Sequence, residues 1–94
     1  MTSYRIRITK RARRSFGKLT KDSQLLVGTA IYSLASDPRP RNCEKVKGLK
    51  EDVYRIRAGD YRICYTIKDD MLVVIVVDVG HRREIYDSIS RIKF

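Results

Sequence analysis

Between Val53 and Val79 the chain is written as three runs rich in Val, Ile and Tyr, separated by Ala58-Gly59-Asp60 and Asp69-Asp70. β-Branched and aromatic side chains suit a half-buried pleated surface, and gaps this short leave no room for a crossover helix. The runs Val53 to Arg57, Tyr61 to Lys68 and Met71 to Val79 therefore predict a three-stranded antiparallel meander. A sheet of this kind must bury one face, so the rest of the chain has to supply the cover.

The flanking segments carry helical and strand periods that can do so. YRIRI, Tyr4 to Ile8, alternates apolar and basic residues at period two, which predicts a strand with Arg5 and Arg7 turned to solvent. Thr9 is positioned to cap a short basic helix over Lys10 to Lys18, with Ala12, Phe16 and Leu19 at helical spacing. Thr20 or Asp22 can cap a second helix whose apolar stripe would be Leu26, Ala30, Ile31, Leu34 and Ala35, ended by Asp37 and Pro38. The stretch Pro38 to Lys50, with two prolines, a glycine and no clean period, reads as an exposed connection. Ile85, Ile89 and Ile92 at i, i+4 and i+7 predict a closing helix. The expected fold is α+β, in the order β-α-α-β-β-β-α. A helical hairpin and a C-terminal helix would pack on a four-stranded, mainly antiparallel sheet, all within a single domain over residues 1–94.

Charge narrows the function classes. Twenty-one Lys and Arg against 11 Asp and Glu give a net +10 on 94 residues, a field that attracts polyanions. Nucleic acid is the first partner to consider, since no apolar run approaches the ~20 residues of a membrane-spanning helix. The opening MTSYRIRITK has no apolar signal core, which points to a cytoplasmic protein. Cys43, Cys64 and a single histidine match no common metal spacing, so neither a metal nor a cofactor is expected. Cys64, inside an alternating apolar run, is expected to act as a small buried hydrophobe.

Register then places the cations. If Gly59-Asp60 is a two-residue turn, Arg57 falls opposite Arg62 and Arg55 opposite Cys64, so Arg55, Arg57 and Arg62 share one face of the hairpin. Like charges directly opposite on a sheet are unfavourable, and a bound anion would account for them. If Asp69-Asp70 is equally tight, Arg62 lies opposite Val77, near the exit at Val79-Gly80. The exit leads into HRREIY, His81 to Tyr86, where Arg82 and Tyr86 stand at i and i+4 on the closing helix. Each of these residues taken singly could be no more than a solvated surface side chain; their convergence from separate segments points to an anion cleft.

The stretches YRIRAGDYRICY (Tyr54 to Tyr65) and VGHRREIY (Val79 to Tyr86) together resemble the RelE toxins of bacterial and archaeal type II toxin–antitoxin modules, within the RelE/ParE superfamily. The resemblance covers nearly the whole chain. It implies a ribosome-dependent endoribonuclease that enters the aminoacyl site of the 70S ribosome and cuts messenger RNA there without metal. It also implies a RelB-like antitoxin as partner, through which operator DNA could be contacted. Carried over, it assigns Arg55, Arg57, Arg62, His81, Arg82 and Tyr86 to catalysis; Arg55, Arg57, Lys47 and Arg83 are the expected RNA contacts. Well-known members have lysines where this chain has Arg55 and Arg57, and a guanidinium cannot serve as a general base. Proton transfer then falls to Tyr86 and His81, which could equally stack on a splayed base. Two other readings stand beside this one: a ParE-like toxin that poisons DNA gyrase by protein contact, and a non-catalytic RNA-binding module.

Overall fold

The computed structural model describes residues 3–49 and 51–81. The expected closing helix, and with it Arg82, Arg83 and Tyr86, lies outside the described residues. Seven elements follow in chain order: β1 (Arg5–Ile8), α1 (Lys10–Gly17), α2 (Lys21–Ser33), β2 (Glu44–Lys45), β3 (Tyr54–Ala58), β4 (Tyr61–Lys68) and β5 (Val73–His81). The five strands form one mixed sheet in the order β1-β5-β4-β3-β2, parallel only where β1 meets β5. The chain is thus two helices on a five-stranded sheet, an α+β fold with one strand more than the sequence predicts. The additional strand, β2, lies inside the stretch read as a loop, and its two residues pair with Tyr54 and Arg55.

Both helices start where the sequence places them. The Thr9 hydroxyl accepts from Ala12 N and the Thr20 hydroxyl from Ser23 N, each satisfying a backbone donor that the first helical turn leaves open. α1 packs on β5, and α2 lies over β3 and β4. The face of α2 that enters the core is Val27, Ile31 and Leu34, not a stripe beginning at Leu26. Leu26 sits one residue round the helix and remains 48% exposed, its side chain reaching the hairpin tip at Gly59. Beneath the helices Ile56, Ala58, Ile63, Tyr65, Val74, Val76 and Val79 complete the main core. A smaller cluster of Val53, Cys64 and Val77, flanked by Val46, Leu49 and Ile75, occupies the opposite face.

The β3–β4 hairpin has the predicted register, with Ala58 opposite Tyr61, Arg57 opposite Arg62 and Tyr54 opposite Tyr65. Of the two turn residues only Gly59 has positive φ, at 63°, as a type II′ turn requires. The β4–β5 connection differs from the expectation. It runs through Asp69 to Leu72, closed by Met71 N donating to Lys68 O and Leu72 N donating to Asp69 O, with Leu72 in the left-handed region at φ 54°. A bulge between Cys64 and Tyr65 shifts the ladder again. Arg62 consequently lies opposite Gly80 and not Val77.

Candidate nucleic-acid interface

Period-two alternation sends Tyr54, Ile56 and Ala58 of β3 and Tyr61, Ile63 and Tyr65 of β4 toward the helices, and Arg55, Arg57 and Arg62 to the other face. Three guanidiniums are therefore delivered to one surface by the same rule that builds the core. Arg57 and Arg62 are directly opposed, a placement that brings Cβ atoms to about 5 Å and is unfavourable for like charges. Arg62 is half-buried, and its Nη1 donates to Tyr61 O at 3.2 Å. Its partner position on β5 is Gly80, which carries no side chain to fill the ground beside the guanidinium.

Arg55 is anchored from the edge of the sheet. Glu44 on β2 lies directly across from it, and its Oε2 accepts from Arg55 Nη2 at 2.7 Å and Nε at 3.2 Å. The Arg55 guanidinium holds the Glu44 carboxyl below the usual carboxylate range, with smaller contributions in the same direction from Arg57 and Arg62. The carboxylate thus senses all three arginines. Glu44, Lys45, Val46, Lys47 and Arg55 line one groove of about 680 Å³, which joins Lys47 to the arginine face. Lys45 is turned to Asp52, with Nζ to Oδ1 at 2.9 Å.

His81 is placed differently. It ends β5 opposite Tyr61, with the two rings edge-on, centroids 6.1 Å apart at 84°. Tyr61 belongs to the helix-facing side, so the imidazole meets that face and not the one carrying Arg62. Cys64 is packed beneath the arginines at 1% exposure, and burial, with the nearby Asp78 carboxylate adding to it, pushes its thiol up to about 12. A thiol so strongly protonated is a packing group rather than a nucleophile.

Asp78 was not singled out by its sequence position, yet it is the one buried acid among the described residues, at 2% exposure. Its carboxylate accepts from the Ser15 hydroxyl at 2.8 Å, from Arg11 Nε at 3.3 Å and from Val79 N at 2.8 Å. Burial of a carboxylate is tolerated because donors surround it. These bonds fasten α1 to the last part of β5, which leads to Gly80 and His81.

With this geometry in place the chain can be set against known proteins. Residues 6–86 match the sequence pattern of the family described as "ParE toxin of type II toxin-antitoxin system, parDE". The chain belongs to this ParE/RelE toxin family. A Methanocaldococcus jannaschii relative named "Putative toxin RelE1" is 26% identical over 87 residues, which cover 90% of this chain and 97% of that protein. The toxin–antitoxin complex RelBE2 of Mycobacterium tuberculosis contains a chain similar at 29% identity and TM-score 0.78, with 87% of this chain and 94% of that one covered. The RelE–RelB complex of Pyrococcus horikoshii gives 29% identity, TM-score 0.74 and coverage of 87% and 97%. The protein is a RelE-like toxin of a type II toxin–antitoxin system. In this toxin the arginine face lies on the side of the sheet turned away from α1 and α2, and among the described residues no helix is long and apolar enough to cross a membrane.

Proposed function

We propose that this toxin is a ribosome-dependent endoribonuclease that cuts messenger RNA in the aminoacyl site. The observation that carries the reading is the opposition of Arg57 and Arg62 beside Gly80, with Arg55 on the same face. Directly opposed guanidiniums are unfavourable as a pair, and the cluster is well suited to a phosphodiester, whose charge grows as the reaction proceeds.

RNA supplies its own nucleophile. The 2′-oxygen attacks the adjacent phosphorus, the bond from phosphorus to the 5′-oxygen breaks, and the products are a 2′,3′-cyclic phosphate and a 5′-hydroxyl. One proton leaves the 2′-hydroxyl and one is delivered to the departing 5′-oxygen. Arg62 is assigned to the phosphoryl oxygens, where loss of such a donor commonly costs ~3 to 4 kcal/mol, and Arg82 shares that role. Arg55, Arg57 and Lys47 hold flanking phosphates, and Arg83 extends that contact. Arginine does not exchange protons at neutral pH, so Tyr86 is left as the proton-handling or base-stacking group. His81, beside Tyr61 on the opposite face, acts at the margin of the cleft.

The complexes of similar RelE chains with RelB-type antitoxins support a RelB-like antitoxin as the cognate partner here. The ParE description attached to the matching family supports a second reading, gyrase poisoning, for which opposed guanidiniums would have no evident use. Incubating the pure protein with ribosomes programmed by a defined message and mapping the new ends separates the two. Cleavage within the aminoacyl-site codon, leaving 5′-hydroxyl ends, is expected. Intact message together with broken chromosomal DNA in induced cells would favour gyrase instead.

A further inference from the structure

We infer that Glu44 is a built-in competitor for the RNA phosphate that Arg55 binds, so that the toxin engages RNA only where the substrate can displace its own carboxylate. This rests on the ribonuclease reading above and adds a specificity-determining residue to it.

Three observations converge on Glu44. Its carboxylate is presented to Arg55 in strand register, Glu44 opposite Arg55, and not by a chance surface encounter of two long side chains. It contacts two nitrogens of the guanidinium, Nη2 at 2.7 Å and Nε at 3.2 Å, the edge through which an arginine grips a phosphate. Among the described residues it is also the sole acid lining a groove otherwise formed by Lys45, Val46, Lys47 and Arg55. An anion in that groove therefore meets a carboxylate already seated on one of its cations.

The exchange is physically accessible. The Glu44 side chain is 58% exposed and that of Arg55 23%, so the pair opens to solvent on the acid's side. β2 consists of two residues at the sheet edge, continued by Val46 N donating to Val53 O at 2.7 Å, so the carboxylate can swing away without breaking a central strand. A partly exposed ion pair is weak, whereas a phosphodiester held by several guanidiniums gains from each. A single phosphate offers Arg55 little over Glu44. A strand aligned along Arg55, Arg57, Arg62 and Lys47 offers considerably more. The carboxylate thus penalises brief contacts with stray RNA and is overcome by message held in extended form.

The test is binding of a fluorescein-labelled single-stranded RNA, 2′-O-methylated to prevent cleavage, by fluorescence anisotropy at fixed low ionic strength. The wild type, Glu44→Gln, Arg55→Ala and the double variant are compared, and thermal melts confirm that each is folded. Glu44→Gln is expected to bind about threefold to fivefold tighter than wild type. In the Arg55→Ala background the same change should improve binding by less than about twofold, because the guanidinium it competes for is gone. Equal gains in both backgrounds would reduce Glu44 to a distant negative charge and overturn the proposal. Unchanged or weaker binding by Glu44→Gln would also overturn it. If the wild type cuts programmed ribosomes while Glu44→Gln shows no gain, the competitor fails and the ribonuclease reading stands. A wild type that neither binds nor cuts RNA removes both.

Discussion

Arg57 and Arg62 face one another on a protein already carrying a net +10, and their repulsion sits on the face the helices do not cover. On the opposite side of the sheet, charge is tied into the packing around Tyr54 and Tyr65. Asp69, in the β4–β5 connection, accepts from Arg39 Nη2 at 2.8 Å and Nη1 at 3.1 Å and from the Tyr4 hydroxyl at 2.7 Å. Arg39 also lies over the Tyr54 ring at 5.5 Å, and Tyr54 stacks on buried Tyr65, whose hydroxyl donates to Pro38 O. This arrangement ties the β4–β5 connection to the segment before β2 and to the start of the chain. The Arg39 guanidinium, aided by the Tyr4 hydroxyl, lowers the Asp69 carboxyl to about 2. Because the folded value lies below the ordinary ~3.9, the stabilisation is complete above about pH 4 and is lost as pH falls toward 2. Urea midpoints measured from pH 5 down to pH 2.5 should fall for the wild type more steeply than for Asp69→Asn, the two curves converging at the acid end. Parallel curves would show that the contact contributes nothing to folding.

At the scale of elements, the β3–β4 hairpin fixes the arginine face, and its tip is tightly determined. Gly59 has φ 63°, and a Cβ there would stand 2.8 Å from Leu26 Cδ2. Gly59→Ala should cost about 1–2 kcal/mol from backbone conformation alone, with a further loss from the collision with α2. In a Leu26→Ala background the collision part should disappear and the conformational part remain, measured as the difference in unfolding free energy between the pairs. An equal cost in both backgrounds would show that Leu26 yields freely. This hairpin was legible in the sequence because a two-residue turn at Gly59-Asp60 dictates every pairing behind it. The next connection was not, because Asp69-Asp70 has turn chemistry while Leu72, the residue that adopts the left-handed conformation, carries no sign of it. The bulge at Cys64/Tyr65 is equally silent, so the position opposite Arg62 was misplaced from Gly80 to Val77. β2 is too short for any period to register, and with it went the pairing of Glu44 with Arg55. His81 was grouped with the arginines through the HRREIY motif and its resemblance; on β5 its ring stands beside Tyr61. The arginine face itself depended only on period-two alternation and the first turn, and both were readable.

Across the whole molecule, the sheet divides the labour. The helix-covered face holds the main core, and the other face carries the arginines over a small apolar patch around Cys64. Asp78, bonded to Arg11 and Ser15 of α1, fastens the helical hairpin to the strand that leads toward the final segment of the chain. On the proposed reading, stability and chemistry are largely separable, and a substitution on the cationic face is expected to remove function without unfolding the protein. The measurement that bears most directly on this is the rate at which Arg62→Ala cleaves ribosome-bound message under single-turnover conditions, with binding to the cognate antitoxin as the check that it is folded. A loss of about 100-fold or more in rate, with antitoxin binding retained, is expected. Cleavage by Arg62→Ala at the wild-type rate would contradict it.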